Sequence, residues 1–147
     1  MRILSGVQSS GQLHLGNYYG AIRQFVELQA VTEDEPLYFI ANLHALTTVR
    51  DPDLARRLTF ETACAFLACG VDPVRSTLFR QSDIPEVTEL FWVLGTVVPV
   101  SNLERAVSYK DKVEQGLAAE HGLFAYPVLQ AADILIYDAD IVPVGQD

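Results

Sequence analysis

The sequence predicts an α/β domain built on a parallel sheet, and three observations carry that prediction. Short apolar runs bounded by turn residues recur at Arg2–Val7, Pro36–Ala41, Ser76–Gln81 and Asp140–Val144, each the length of a buried strand. Helix-length segments separate these runs. Strand followed by helix, repeated along the chain, is the order that right-handed crossovers between parallel strands produce.

Each element has its own local signal. Leu15–Gln29 places Leu15, Tyr18, Tyr19, Ile22, Phe25, Val26 and Gln29 at spacings of three and four, the stripe of a helix that packs on a sheet. Asp51-Pro52 opens a second helix with an N-cap and a first-turn proline, and Gly70 closes it. A third helix is expected from Ile84-Pro85-Glu86 to Val97, and a fourth from about Gly122 to Tyr137, leading into the last strand. Ser101 to His121 is the least regular stretch; it holds both lysines, Lys110 and Lys112, and reads as a short helix plus loop. The chain ends at Val144-Gly145-Gln146-Asp147, directly after a strand, so the sheet is expected to be incomplete at its C-terminus.

Composition narrows the function classes. The 147 residues are 50% hydrophobic and 20% charged, the profile of one globular domain over residues 1–147. Such a length buries roughly 68–70% of the unfolded surface without a disulfide or metal staple. No apolar stretch reaches the ~18 residues of a membrane span, and Met1-Arg2-Ile3-Leu4-Ser5-Gly6 is no signal peptide. The expectation is a cytoplasmic chain with no membrane partner. Cys64 and Cys69, five apart in an apolar run, fit neither a zinc nor a redox spacing, so they read as buried thiols and no metal site is expected. A net charge of −9 argues against a DNA- or RNA-binding platform within this segment, since phosphate contacts need clustered Lys and Arg.

The stretch Ser5-Gly6-Val7-Gln8-Ser9-Ser10-Gly11-Gln12-Leu13-His14-Leu15-Gly16-Asn17 joins the first strand to the first helix. Glycines, hydroxyls and an imidazole at that junction suit a phosphate site. Gly6 and Gly11 have the glycine spacing of a Walker A loop, but Gln12-Leu13 replace its Lys-Ser/Thr, and no GxGxxG fingerprint is present. The residues alone leave a second reading open: a long turn capped by Ser10, with His14 a surface cap.

His14-Leu15-Gly16-Asn17 resembles the His-x-Gly-His signature of class I aminoacyl-tRNA synthetases, in the Asn-ending variant of the tryptophanyl type. Ser5-Gly6-x-Gln8 precedes it and Asn17-Tyr18-x-Gly20-Ala21 follows. Then come His44-Ala45-Leu46-Thr47, Leu78-Phe79-Arg80-Gln81-Ser82-Asp83, Leu103-Glu104-Arg105, Tyr126-Pro127-x-Leu129-x-Ala131-Ala132-Asp133-Ile134-Leu135 and Asp140-Ile141-Val142-Pro143-Val144-Gly145-x-Asp147. The chain resembles the N-terminal part of a bacterial tryptophanyl-tRNA synthetase, and the resemblance implies a Rossmann-like parallel sheet flanked by helices.

Its further implications are specific. The activity would be ATP-dependent formation of tryptophanyl-adenylate and transfer to tRNA(Trp), with L-tryptophan, ATP and Mg2+ as substrates and no prosthetic group. Gln8, Ser9, Ser10, Gly16 and Asn17 would line the ATP site, with Lys112 near the phosphates and Gly145, Gln146 and Asp147 on the ribose and adenine side. His14 and Asn17 would act on the reacting phosphates. Asp133 would accept the indole N–H, Tyr126 would meet the α-amino group, and His44, Gln130, Val142 and Val144 would complete the pocket. Family members are homodimers, and the apolar Phe91-Trp92-Val93-Leu94 and Val97-Val98-Pro99-Val100 runs could supply an interface.

Three positions depart from the family pattern: Ser9 replaces the usual proline, which is expected to loosen the loop; Leu4 replaces phenylalanine and Gln130 replaces methionine. Tyr126-x3-Gln130-x2-Asp133 is also the tyrosyl-type pattern, which keeps tyrosine as an alternative substrate. Without the resemblance, Asp133 would read as a helix-surface charge. The second class I signature, Lys-Met-Ser-Lys-Ser, and an anticodon-recognising domain have no counterpart here, so the isolated chain is expected to be weak or inactive. A catalytically inactive nucleotide- or amino-acid-binding fragment is the alternative function.

Overall fold

The computed structural model describes residues 1–106, 116 and 120–144. Lys112, Gly145, Gln146 and Asp147 lie outside the described residues. The chain divides into two compact units, Met1–Ile84 with Tyr137–Asp147, and Pro85–Ile136.

In the first unit, β1 (Leu4–Val7), β2 (Leu37–Ile40) and β3 (Thr77–Arg80) form a parallel sheet in the order β1-β2-β3. Leu4 lies opposite Leu37 and Val7 opposite Ile40; on the other edge of β2, Leu37 faces Thr77 and Ile40 faces Arg80. Alternation along the strands then sorts the core into two layers. Val7, Tyr38 and Ile40 pack with Ile22, Phe25, Phe66 and Val71, whereas Leu4, Phe39 and Ala41 pack with Phe79, Tyr137 and Ala139 on the opposite face. Phe25 stacks on Tyr38 with ring centroids 4.4 Å apart, and Tyr38 donates its hydroxyl to the Phe25 carbonyl at 2.9 Å.

The expected fourth strand over Asp140–Val144 shrinks to a single parallel bridge, Ile3 with Ile141. The ladder starts correctly: Ile141 N–H donates to the Arg2 carbonyl, and Leu4 N–H donates to Ile141. The next donor in that register would be residue 143, which is proline and has no N–H. The Pro143 carbonyl instead accepts from the Ser5 hydroxyl at 2.8 Å. Val142 and Val144 therefore lie outside the described strands.

The first helical segment is composite: α1 (Leu15–Asn17), a π-helical turn (Tyr18–Ile22) and α2 (Arg23–Val31). Ile22, Phe25 and Gln29 are buried as the stripe predicts, but Leu15 and Tyr19 are exposed. The wider π turn shifts the register, so the seven positions do not share one face. A one-turn helix, α3 (Asn42–Ala45), directly follows β2 and has no counterpart in the periodicity.

The next helix, α4 (Pro52–Ala68), matches its signals. Asp51 caps it by accepting from the Leu54 N–H at 2.8 Å. At its other end Gly70, with φ +103°, turns the chain so that Gly70 and Val71 return their N–H groups to the Leu67 and Phe66 carbonyls. The cysteines depart from expectation: Cys64 is exposed and Cys69 half-buried, because Cys64 sits one turn after exposed Phe60 on the outward side of α4.

In the second unit, α5 (Glu86–Gly95) and α6 (Val100–Glu104) both pack against α7 (His121–Leu135). Val87, Leu123, Val128 and Ala132 form its buried side. Among the described residues no helix is long and apolar enough to cross a membrane.

Burial pushes the Tyr38 hydroxyl from the usual 10.0 up to about 12. The folded state then holds a proton that the unfolded chain releases, so Tyr38 contributes stability below pH 10 that is lost as pH rises toward 12. Chemical unfolding across that range should show the decline. In Tyr38→Phe the slope should flatten, at a cost of about 1 kcal/mol near neutral pH from the lost hydrogen bond.

Candidate active site

β1 is flanked by β2 on one side and by the Ile141 bridge on the other. Chain order reverses at that point, and in open parallel sheets the crevice beyond the strand carboxyl ends at such a reversal is where ligands bind. Residues 8–14 leave β1 there and lead into α1.

His14 is the N-cap of α1. Its Nδ1 accepts from the Gly16 N–H at 3.1 Å, and its own N–H donates to Asn17 Oδ1 at 3.0 Å, a reciprocal capping box. These bonds fix the roles of the remaining atoms. With Nδ1 accepting, the neutral imidazole carries its proton on Nε2; with Oδ1 accepting, the Asn17 amide keeps its N–H groups for a ligand. His14 is exposed, and Asn17 is half-buried. The surface-cap reading of His14 is therefore correct in geometry and compatible with ligand binding, because the cap uses the acceptors and leaves donors. Gly16 is required by this arrangement: a Cβ there would lie 2.8 Å from His14 Cε1 and 2.9 Å from Nδ1.

The other loop residues divide. Gln8 donates Nε2 to the His44 carbonyl at 3.1 Å, tying the loop to α3. Ser9 is 1% exposed, and its hydroxyl lies 3.3 Å from Thr59 Oγ1 of α4. Rather than loosening the loop, serine here pins it, beside a cavity of about 380 Å³ lined also by Ile40, Leu43, Ala63 and Arg80. Ser10 and Gly11 are exposed, and a Cβ on Gly11 would meet nothing within 4 Å, so this fold does not itself demand glycine there. Gly6 serves packing instead: a Cβ on it would strike the Phe39 ring at 2.7 Å.

Arg80, at the end of β3, forms an exposed ion pair with Asp83 at 2.6 Å. The hydrogen bond from Arg80 holds the Asp83 carboxyl below its ordinary range, and the Arg80 guanidinium is raised in turn. Among the described residues no group of three His, Cys, Asp or Glu side chains could hold a metal ion.

In the second unit, Tyr126, Gln130 and Asp133 share α7 at spacings of four and three, hence one face of the helix. Asp133 is 2% exposed, between Ala132 and Ile134, and not on the helix surface. Tyr126 is half-buried and Gln130 exposed. Sequence reasoning gave no role to Asn42, Thr59, Gln81 and Ser82, which tie these elements together. Gln81 and Ser82 stood within a family-type motif, whereas Asn42 and Thr59 carried no signal beyond their polarity.

A parallel sheet of this order with a capped His-x-Gly-Asn turn after its first strand defines the class. The chain belongs to the tRNA synthetases class I (W and Y) family, whose model matches residues 1–147. Within that class its similarity is to tryptophan enzymes. It is 56% identical to the tryptophan–tRNA ligase of Rhodopirellula baltica over all of this chain and 45% of that protein. The crystal structure of tryptophanyl-tRNA synthetase from Campylobacter jejuni complexed with ADP and tryptophan superposes with a TM-score of 0.92 at 52% identity, covering 99% of this chain and 45% of that one. A tyrosyl-tRNA synthetase from Archaeoglobus fulgidus, 20% identical, shares the fold with a TM-score of 0.77 over 96% of this chain and 44% of that one. The chain spans about half the length of the curated relatives it matches.

The capping box predicts separable effects at His14. In His14→Asn a side-chain acceptor is retained at the N-cap, so unfolding free energy should stay within about 0.5 kcal/mol of the parent, whereas His14→Ala should lose about 1 kcal/mol. Gly16→Ala, which evicts the imidazole, should behave like His14→Ala in urea unfolding.

Proposed function

We propose that this chain is the catalytic N-terminal part of a tryptophan–tRNA ligase, residues 1–147 lying within one catalytic domain. The substrates are L-tryptophan, ATP with Mg2+, and tRNA(Trp). The observation that carries this reading is the His14–Asn17 capping box, which presents donor N–H groups at the opening of a helix beside the switch point of the sheet.

The chemistry follows from that arrangement. The tryptophan carboxylate attacks the α-phosphorus of ATP in line, pyrophosphate leaves, and the resulting mixed anhydride then esterifies a tRNA hydroxyl with release of AMP. No protein nucleophile is required; catalysis rests on positioning and on donors aimed at phosphate oxygens. His14 Nε2–H and the Asn17 amide supply two such donors, and Gln8, Ser9, Ser10 and Gly16 shape the nucleotide loop. Lys112, Gly145, Gln146 and Asp147 complete the ATP side in this proposal. Mg2+ enters with the triphosphate.

Asp133 selects the amino acid. An indole has one polar handle, an N–H donor, and a buried carboxylate is its complement. Tyr126, two turns earlier on α7, meets the α-amino group, and Gln130 lies on the same face of that helix. The protein acts in the cytoplasm as a homodimer. Trp92 and Val97, each 72% exposed in the second unit, support an apolar contact surface, and a sedimentation measurement showing only monomer would remove the dimer.

Tryptophan-dependent ATP–pyrophosphate exchange, measured in a full-length enzyme that carries this chain, tests the assignment. His14→Ala should slow activation by roughly 10²–10³, the usual cost of losing one transition-state donor; unchanged exchange would remove His14 from the mechanism. The protein should reject phenylalanine by about 10⁴-fold, because Asp133 would be left buried and unpaired. In Asp133→Ala that discrimination should collapse while ATP binding changes little. Tyrosine activated as fast as tryptophan would overturn the substrate choice.

A further inference from the structure

Two residues assigned to the site, Gln8 and His44, depend on α3, and α3 has little to hold it locally. It is one turn long, far below the length at which a helix persists alone. Its N-cap position is Ala41, which makes no side-chain cap. The orphan N–H groups of its first turn must be satisfied from elsewhere.

One of them, the Leu43 N–H, is satisfied from the turn just beyond β3. Gln81, 1% exposed just beyond β3, accepts the Leu43 N–H on Oε1 at 3.0 Å. Next to it, Asn42 and Ser82 bond reciprocally: the Ser82 N–H donates to Asn42 Oδ1 at 3.1 Å, and Asn42 Nδ2 donates to the Ser82 hydroxyl at 2.9 Å. The distal end of α3 then holds the loop. The His44 carbonyl accepts both the Thr47 hydroxyl at 2.8 Å and Gln8 Nε2 at 3.1 Å.

We propose that Asn42, Gln81 and Ser82 are positioning residues of the active site, a clasp that fixes α3 against the end of β3 and, through the His44 carbonyl, fixes Gln8 in the nucleotide loop. The proposal rests on the tryptophan–tRNA ligase reading for its kinetic consequences but not for its geometry. None of the three side chains needs to touch substrate. Because the clasp places two ligand-facing elements, its loss acts on binding before it acts on the chemical step.

The test compares Asn42→Leu, which removes both bonds, with Asn42→Asp, which keeps an acceptor for the Ser82 N–H and offers a second oxygen to the Ser82 hydroxyl. In tryptophan-dependent pyrophosphate exchange by a full-length enzyme that carries this chain, Asn42→Leu should raise KM for ATP and tryptophan roughly tenfold, the effect of about 1.4 kcal/mol, with kcat within about threefold. Asn42→Asp should restore KM. A purely structural role would instead lower the folded fraction, reducing apparent kcat at unchanged KM, and that pattern overturns the proposal. So does an Asn42→Asp variant as impaired as Asn42→Leu.

If Asn42→Leu fails to fold, Ser82→Ala, which removes only the hydroxyl partner, carries the comparison, with a smaller KM rise expected. Amide hydrogen exchange without ligands separates this proposal from the functional one. Peptides spanning residues 8–17 and 42–49 should exchange at least roughly threefold faster in the variant, with α2 unchanged, as for a local opening. Unchanged exchange in those peptides refutes the clasp whatever the enzyme activity. Faster exchange in a full-length protein that carries this chain and lacks tryptophan-dependent activity supports the clasp and refutes the ligase reading alone.

Discussion

The pairing of β1 on both edges is the constraint from which the site follows. Leu4 and Ile3 are almost fully buried, and their backbone is bonded to β2 on one side and to Ile141 on the other. Interior strands of a parallel sheet have no freedom to slide, because a one-residue slip would turn Leu4 out of its layer and drive the Ser5 hydroxyl into it. With β1 locked, residue 8 leaves the sheet at a fixed point and in a fixed direction. Pro143 ends the second pairing after one bridge by lacking an N–H, and its carbonyl instead takes the Ser5 hydroxyl of β1.

The loop beyond β1 uses the same side chains, through different atoms, for folding and for the binding proposed above. Capping α1 consumes the acceptor on His14 Nδ1 and the acceptor on Asn17, and what remains on both side chains is a donor. Donors are what phosphate oxygens require. The stability of the helix start and the orientation of the site are therefore one property, and Gly16 is its condition because any larger residue would occupy the space of the imidazole. The π turn that follows belongs to the same local solution: it widens the helix after the cap and brings Ile22 and Phe25 onto the sheet from a start that points away from it.

What could be read from the sequence was whatever local chemistry decides. Three strands, the Asp51-Pro52 start of α4 and its Gly70 stop came out at nearly the observed positions, since each is set by residues within one turn of it. The family-type motifs likewise located the loop and α7. Interactions that span the chain were not legible. Asn42 and Ser82 are forty residues apart and meet only after β2 and β3 have paired. Val142 and Val144 alternate as a strand should, yet the proline between them removes the ladder. Asp133, which without the resemblance reads as a helix-surface charge, is only 2% exposed once α7 packs. Cys64 looked buried because its neighbours are apolar, but α4 is one-sided and Cys64 is on the wrong side.

Net charge poses a last question, since a chain at −9 should repel a polyanion. The fold answers it by separating charge along the strand axis. Glu33, Asp34 and Glu35 precede β2, and Asp138 and Asp140 precede the Ile141 bridge, so all five collect at the amino ends of the strands. There Asp34 meets the N-terminal ammonium and Glu35 meets the Thr77 hydroxyl. The loop after β1 leaves the opposite end and contains no acidic residue from Gln8 to Asn17. Among the described residues of the first unit, Asp83 pairs with Arg80, Asp53 with Arg56, and Asp51 with the N–H of Leu54. A Debye length of about 8 Å at physiological salt screens charges at the far ends of the strands, so the loop's field is set by its own neutral donors and the first turn of its helix. An acidic protein can in this way present a local site suited to an anion.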